Sequence, residues 1–160
     1  MRWQRGFTFI ELMVTVLILG VLSATAIPFY HTWMQRAYGT EAALMMKQIM
    51  DGEIMYYLSQ DEFFPPLSGS TVKVVEVYEN GTENPAGALS DIKEKLHVVI
   101  PTGHHLDYII QNYGSLCAVQ IDAPFPLFSN GDPYLYAVIY PDGNLIEPVS
   151  VAELAVLLGG

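Results

Sequence analysis

Cysteine is almost absent from this sequence, because Cys117 is the only one among 160 residues. A single cysteine excludes a disulfide within the chain, so the fold must be stable without one. The apolar residues around it, Leu116, Ala118 and Val119, are typical of a strand. We therefore expect a buried thiol rather than a reactive one.

Basic residues are scarce as well. Seven Lys and Arg stand against 17 Asp and Glu, which gives a formal net charge of −10. Two of the seven, Arg2 and Arg5, lie at the extreme N-terminus. An acidic surface repels the phosphate backbone of nucleic acids, so we expect no direct nucleic-acid binding.

Patterns of common catalytic sites are also missing. The sequence has no glycine-rich phosphate loop, no Gly-x-Ser-x-Gly turn and no His-Glu-x-x-His motif. His104 and His105 are adjacent, so on a strand they would point to opposite faces and could not bind one metal together. The sequence therefore predicts neither an enzyme nor a resident cofactor.

What the sequence does contain is a long apolar segment near its N-terminus. Residues 12–29 carry no charge, and about 20 such residues span a bilayer as a helix. Arg2 and Arg5 before this segment predict a cytoplasmic N-terminus. A secretory signal is one interpretation, since Ala24-Thr25-Ala26 has the small-x-small pattern of a cleavage site. A plain membrane anchor is another.

Neither interpretation explains Glu11, the carboxylate at the head of the segment. A charge at the centre of a bilayer costs roughly 2.5–3.5 kcal/mol, so an acid there needs a partner or a function. Its surroundings, Gly6-Phe7-Thr8-Phe9-Ile10-Glu11-Leu12 with Gly20 and Pro28 further on, resemble the N-terminus of type IV prepilins and type II secretion pseudopilins.

The resemblance implies a role for three residues. Prepilin peptidase would cut between Gly6 and Phe7, and Phe7 would become N-methylated. Glu11 would serve filament assembly by pairing with the N-terminal ammonium of a neighbouring subunit. Four residues of helix, about 6 Å, separate it from Phe7, so it would lie at the cytoplasmic edge of the bilayer, where it could also snorkel.

Gly20 and Pro28 interrupt the predicted membrane helix. Proline removes one helical hydrogen bond and clashes with the carbonyl four residues earlier, and glycine costs about 1 kcal/mol relative to alanine. The segment between them is predicted to kink or melt readily. The resemblance implies that assembled filaments lose helical order here, and a simple bend in a membrane helix is the alternative.

Beyond residue 30 the pattern becomes that of an amphipathic helix. Glu53 falls near the middle of the apolar arc of this helix, where its side chain would either reach along the surface or pair in the core.

Pro65-Pro66 predicts that the helix ends before residue 65, near Gln60. A helix over residues 7–60 would be about 80 Å long, so its exposed apolar half is expected in lipid or against copies of itself. The apolar arc of the amphipathic part, after residue 30, contains Tyr38, Ala42, Met45, Met46, Ile49, Met50, Tyr56 and Tyr57.

Segments typical of β-strands follow, separated by turn sequences rich in Gly, Pro, Asn and Asp, and this alternation favours an antiparallel meander. The predicted sheet strands are residues 96–100, 106–113, 116–121, 134–140 and 144–149. A further β-rich run at 71–78 falls in the connecting region, residues 91–96 are a short helix or turn, and residues 150–158 are a short helix or a last strand.

The predicted fold class is α+β: a long N-terminal helix, membrane-spanning in its first half and amphipathic in its second, packed on a small antiparallel sheet. The resemblance implies the same pilin-like architecture. The predicted organisation is a leader (1–6), a transmembrane and assembly helix (7–30) and a globular domain (31–160). The globular domain divides into the amphipathic half-helix (31–62), a connecting loop (63–95), the sheet (96–150) and a C-terminal tail (151–160).

The resemblance implies a structural subunit of a type IV pilus. It would begin as a single-pass precursor in the bacterial inner membrane and end in an extracellular pilus or a periplasmic pseudopilus. Its expected partners are copies of itself and related pilins, prepilin peptidase, the inner-membrane assembly platform and, before assembly, the bilayer.

Two other functions remain open. A type II secretion pseudopilin is favoured by the missing C-terminal disulfide and by Asp132, Asp142 and Asn144. The segments around these oxygen ligands faintly resemble the region near the C-terminus where major pseudopilins bind calcium, which would imply a calcium site. They are equally typical of turns and do not match an EF-hand. A membrane-anchored enzyme or ligand-binding domain is the third hypothesis.

Overall fold

The computed structural model describes residues 6–69, 71–128 and 131–150. In these residues the chain forms, in order, α1 (Phe9–Gln60), β1 (Lys73–Val77), β2 (Glu83–Asn84), α2 (Ala88–Lys95), β3 (Asp107–Asn112), β4 (Cys117–Asp122), β5 (Tyr134–Ile139) and β6 (Leu145–Val149). This arrangement confirms the predicted α+β fold class. The chain divides into two compact units, one ending at Arg36 and the other beginning at Ala37.

The N-terminal unit is the first part of α1. Its apolar side chains are exposed, and the helix is long and apolar enough to cross a membrane by length and composition. The helix runs without interruption through Gly20 and Pro28. Because proline has no N–H, the carbonyl of Ala24 receives no helical hydrogen bond from position 28. Kinking or melting of this segment stays a prediction.

The globular unit contains the last part of α1, α2 and the sheet. The strands lie in the order β2-β1-β3-β4-β5-β6, and every neighbouring pair is antiparallel. The amphipathic prediction for α1 is confirmed, since Ala42, Met45, Met46, Ile49 and Met50 are buried against the sheet. The helix ends at Gln60, as the Pro65-Pro66 pair predicted.

The sheet begins earlier in the chain than the sequence predicted. β1 and β2 both come from residues 63–95, the predicted connecting loop, and β1 pairs with β3 over its whole length. Val75 and Val77 of β1 face the core. The valine-rich run identified β1 as a strand, but its partner lies about 35 residues away in the chain, and no local pattern specifies such a pairing.

The predicted strand at residues 96–100 is wrong. Leu96, Val98 and Ile100 are buried and alternate with exposed residues, which is the pattern that suggested a strand. However, Leu96 caps α2, where its N–H donates to the carbonyl of Ile92, and His97 has a φ of 58°. The chain therefore turns at this point and forms no ladder in the described sheet.

The remaining strands agree with prediction to within a residue or two: β3, β4, β5 and β6 match the segments predicted at 106–113, 116–121, 134–140 and 144–149. The short helix suggested at 91–96 is α2, which begins slightly earlier. The predicted C-terminal tail at 151–160, and most of the leader, lie outside the described residues.

Because residue 52 is a glycine, α1 can lie close to the segment that follows α2 in the chain. A Cβ atom at this position would lie 2.6 Å from the carbonyl oxygen of Leu96 and 3.0 Å from its Cβ. Since the first of these contacts is to backbone, relief would require the two segments to separate. Gly39, on the same helix, has no described atom within 4 Å of its Cβ position apart from adjacent residues and the nearby backbone of α1.

Gly52→Ala is therefore expected to destabilise the globular unit by roughly 1–3 kcal/mol through overpacking. Gly39→Ala, the matched control, should stabilise it by about 0.5–1 kcal/mol because alanine is the better helix former. Urea unfolding of the purified chain in detergent, followed by circular dichroism, measures both changes. Equal effects of the two substitutions would contradict the close approach at Gly52.

Candidate assembly site

Glu11 lies in the first turn of α1, which begins at Phe9. Its Oε2 accepts two hydrogen bonds from Thr8, one from the backbone N–H at 2.9 Å and one from Oγ1 at 2.8 Å. In return, the N–H of Glu11 donates to Oγ1 of Thr8 at 3.3 Å. This reciprocal arrangement is a capping box, and it satisfies N–H groups that the start of a helix leaves unpaired.

The sequence analysis missed the role of Thr8, although its signal is visible as Thr8-x-x-Glu11 before an apolar run. The capping box gives Glu11 a partner within its own chain, and the partial positive charge at the start of a helix also favours a carboxylate there. The side chain is nevertheless exposed, so its carboxylate remains accessible to a second molecule.

Gly6 and Phe7 precede α1 and have no regular secondary structure. Both are exposed, and the Phe7 side chain is 83% exposed. A peptidase needs an accessible, non-helical backbone to reach a peptide bond, and the Gly6–Phe7 bond meets this requirement.

These features coincide with a known motif, since residues 1–27 match the family model described as the prokaryotic N-terminal methylation motif. The type IV major pilin protein PilE1 of Neisseria gonorrhoeae is 35% identical over 108 residues, covering 58% of this chain and 59% of that protein. The fimbrial protein of Neisseria meningitidis serogroup B is 33% identical over 104 residues, covering 58% and 61%. Over these residues the chain is similar to type IV pilins.

Similarity extends beyond Neisseria. The type IV major pilin protein PilA of Myxococcus xanthus is 36% identical over 60 residues, covering 38% of this chain and 27% of that protein. The match spans about three fifths of the length of the two Neisseria relatives. No solved structure matches the chain.

The structure does not bring the three calcium candidates, Asp132, Asp142 and Asn144, together. Asp132 lies before β5, and its Oδ1 accepts the N–H of Tyr134 at 3.1 Å. Asp142 lies after β5 and accepts hydrogen bonds from the backbone and the side-chain amide of Asn144 at 3.0 and 2.6 Å. The six residues of β5 separate the two aspartates by roughly 17 Å of strand, so they serve separate turns. Within the described ranges, no group of three His, Cys, Asp or Glu side chains is placed to hold a metal ion.

Glu53, whose position the sequence left open, lies in the core of the globular unit and is completely buried. Its Oε2 accepts a hydrogen bond of 3.0 Å from the backbone N–H of Phe64. Its Oε1 is buried with no hydrogen-bond partner among residues 6–69, 71–128 and 131–150. Burial raises the pKa of Glu53 to about 8, although the Phe64 hydrogen bond opposes the shift. This shift favours the protonated form of the carboxyl group at neutral pH.

Asn112 on β3 binds the same stretch of chain. Its Nδ2 donates to the carbonyl oxygens of Phe63 at 2.7 Å and Pro65 at 3.0 Å. Its Oδ1 accepts the N–H of Gly114 at 2.7 Å. A buried amide with these partners fixes the path of the chain where it leaves α1.

Cys117 on β4 completes this buried polar cluster. Its Sγ lies 3.9 Å from the carbonyl oxygen of Phe64 and donates to it. Burial, together with the neighbouring Glu53 carboxyl, raises the pKa of the Cys117 thiol well above its usual value. The prediction of a buried thiol is confirmed, and a thiol that stays protonated is a poor nucleophile.

Proposed function

We propose that the chain is a structural subunit of a type IV pilus filament, polymerised through the N-terminal part of α1. The observation that carries the proposal is the exposed apolar helix with a capped carboxylate in its first turn and an accessible Gly6–Phe7 bond before it. The names of the relatives, type IV major pilin and fimbrial protein, support a pilus subunit over a pseudopilin. Catalysis has no part in this proposal.

Maturation begins at the Gly6–Phe7 bond in this proposal. Prepilin peptidase removes residues 1–6 on the cytoplasmic side, and the new N-terminus at Phe7 is methylated. The match of residues 1–27 to the methylation motif supports this step. The mature subunit then begins at Phe7, with a positively charged amine close to Glu11.

Before assembly the subunit resides in the inner membrane with its N-terminus in the cytoplasm, and the assembly platform transfers it to the extracellular filament. The apolar side chains of the N-terminal unit need lipid or protein around them at every stage. In the globular unit, α1 also has exposed apolar side chains, and Leu44, Met55 and Leu58 are all more than half exposed. Copies of the same helix would cover both surfaces in a filament.

Glu11 sets the axial position of each subunit in this assembly. Its carboxylate exchanges the Thr8 hydrogen bonds of the isolated chain for the N-methyl ammonium of a neighbour's Phe7. Two opposite charges that enter an apolar bundle together neutralise each other, whereas either one alone would be left unpaired. Subunits with this contact out of register are therefore disfavoured.

The intact mass of the subunit in sheared surface filaments tests the proposal. In the filament fraction we expect a mass lower than that of the full chain by residues 1–6 and higher by one methyl group, with Phe7 as the N-terminal residue. Gly6→Leu, which places a bulky side chain at the cleavage site, should leave the full chain in the membrane fraction and absent from filaments. Processed subunit confined to the membrane, together with a protein secretion defect on deletion, would contradict the pilus and indicate a pseudopilus.

A further inference from the structure

Aromatic side chains cluster where the uncharged part of α1 ends. Phe29, Tyr30 and Trp33 are 76%, 60% and 68% exposed, respectively. With Ala26, Thr32 and Arg36 they line one open groove on the surface of the helix. Residues three and four positions apart lie on the same face of a helix, which is why these rings and the guanidinium share a groove.

The chemistry of this groove fits the headgroup layer of a phospholipid bilayer. Tyr and Trp have an apolar ring and a polar N–H or O–H, and both are enriched where hydrocarbon meets water. An arginine just outside the hydrocarbon can extend its cationic group to lipid phosphates while its stem stays apolar. The position of Arg36 beyond the two rings matches this order of depth.

The spacing along α1 provides an independent argument. Glu11 and Trp33 are separated by 22 residues of unbroken helix, about 33 Å at 1.5 Å per residue. The hydrocarbon core of a bilayer is about 30 Å thick. When Glu11 lies at the cytoplasmic edge, the Trp33 ring therefore lies at the opposite edge.

We propose that Tyr30, Trp33 and Arg36 form an interfacial anchor that binds the phospholipid headgroups of the outer leaflet before assembly. The inference rests on the membrane stage of the proposed function. The anchor fixes the depth of the helix and so keeps Glu11 at the cytoplasmic edge. These ring contacts must also break when a subunit leaves the bilayer.

Fluorescence of Trp33 tests the anchor. The chain has two tryptophans, and Trp3→Phe leaves Trp33 as the only one in the otherwise full-length protein. This variant is reconstituted at a low protein-to-lipid ratio in vesicles of phosphatidylethanolamine and phosphatidylglycerol. Separate preparations contain a phospholipid brominated near the headgroup or one brominated near the end of the acyl chain. We expect the shallow bromine to quench Trp33 at least about twofold more than the deep one.

A matched control variant shows how a tryptophan near the centre of the hydrocarbon core is quenched. Trp3→Phe, Trp33→Tyr and Leu19→Trp together keep an amphipathic ring at position 33 and place the only tryptophan near mid-span, where the deep bromine should quench more. If Trp33 is quenched most by the deep bromine, or emits as in water without quenching, the anchor is wrong although the chain has inserted.

Quenching that declines as the protein-to-lipid ratio rises would indicate that a second copy, not lipid, covers the rings. Failure of the chain to float with vesicles would overturn the membrane stage of the proposed function and the anchor with it.

Discussion

Glu11→Gln is expected to yield a subunit that is cleaved and inserted in the membrane but absent from filaments. Glutamine retains the shape of the side chain and can still accept the Thr8 N–H, so the capping box is preserved. Only the charge is lost. Leaving the ammonium of a neighbouring Phe7 unpaired in an apolar bundle costs roughly 3–5 kcal/mol. This cost lowers the association constant of each subunit contact by about two to three and a half orders of magnitude.

Comparison with Glu11→Ala separates the two roles of this carboxylate. Alanine removes the charge and the reciprocal cap, so it adds a loss of about 1 kcal/mol at the start of α1. The filament fraction is measured by shearing and quantification of the subunit, and intact mass verifies processing in the membrane fraction. If Glu11→Gln subunits enter filaments at the wild-type level while Glu11→Ala subunits do not, the cap and not the charge is required. The proposed pairing with Phe7 would then be wrong.

The free energy of unfolding of the wild-type chain is expected to decrease strongly as the pH rises, and Glu53→Gln is expected to abolish this decrease. The carboxyl of Glu53 has a pKa of about 8 in the folded chain, against an ordinary value of 4.5. Between these two values the folded state retains a proton that the unfolded state has released. The contribution of Glu53 to stability is therefore fully present below about pH 4.5 and is lost as the pH rises through about 8.

The size of this effect follows from the shift. Each pKa unit corresponds to about 1.4 kcal/mol, so the free energy of unfolding should decrease by roughly 3–5 kcal/mol between pH 4.5 and pH 9 through this group alone. Above pH 8 an ionised carboxylate would be buried with the Phe64 N–H and the Cys117 thiol as neighbours, and no cation among the described residues acts on its pKa. Loss of the contacts around Phe64 is the expected route of unfolding.

Denaturant unfolding of the wild-type chain and Glu53→Gln in the same detergent, across this pH range, measures the difference directly. Other titrating groups act equally in both proteins, so the difference between the two curves isolates Glu53. The variant should be the more stable protein at pH 9, and the two should converge near pH 5. Parallel curves over the whole range would show that Glu53 does not retain its proton in the folded chain.

Local patterns in the sequence were sufficient for a large part of this molecule. The apolar run, Glu11 and the Gly6-Phe7 site form one contiguous motif, and the end of α1 follows from Pro65-Pro66. The 3.6-residue period correctly assigned the buried face of α1, and β3 to β6 were predicted because alternating residues and turn sequences mark each strand. In each case the physical cause lies within a few residues of its effect.

Long-range contacts decided the rest. The position of β1 between β2 and β3 depends on pairing across a large sequence separation. Residues 96–100 have the alternating burial of a strand, but the backbone turns at Leu96 and His97 and the segment joins no described strand. The charge state of Glu53 depends on how completely it is buried beside Phe64 and Cys117, and its place in the apolar arc of α1 left that open.

Glu11 shows both sides of this division. The sequence alone determined that an acid stands at the head of a membrane-length helix, because position and composition are local properties. Only the three-dimensional arrangement showed that its carboxylate is already bound by Thr8, since a hydrogen bond depends on the geometry of the first helical turn. The tertiary fold likewise decided that the other prominent carboxylate of α1, Glu53, is buried, because desolvation depends on which distant strands cover it.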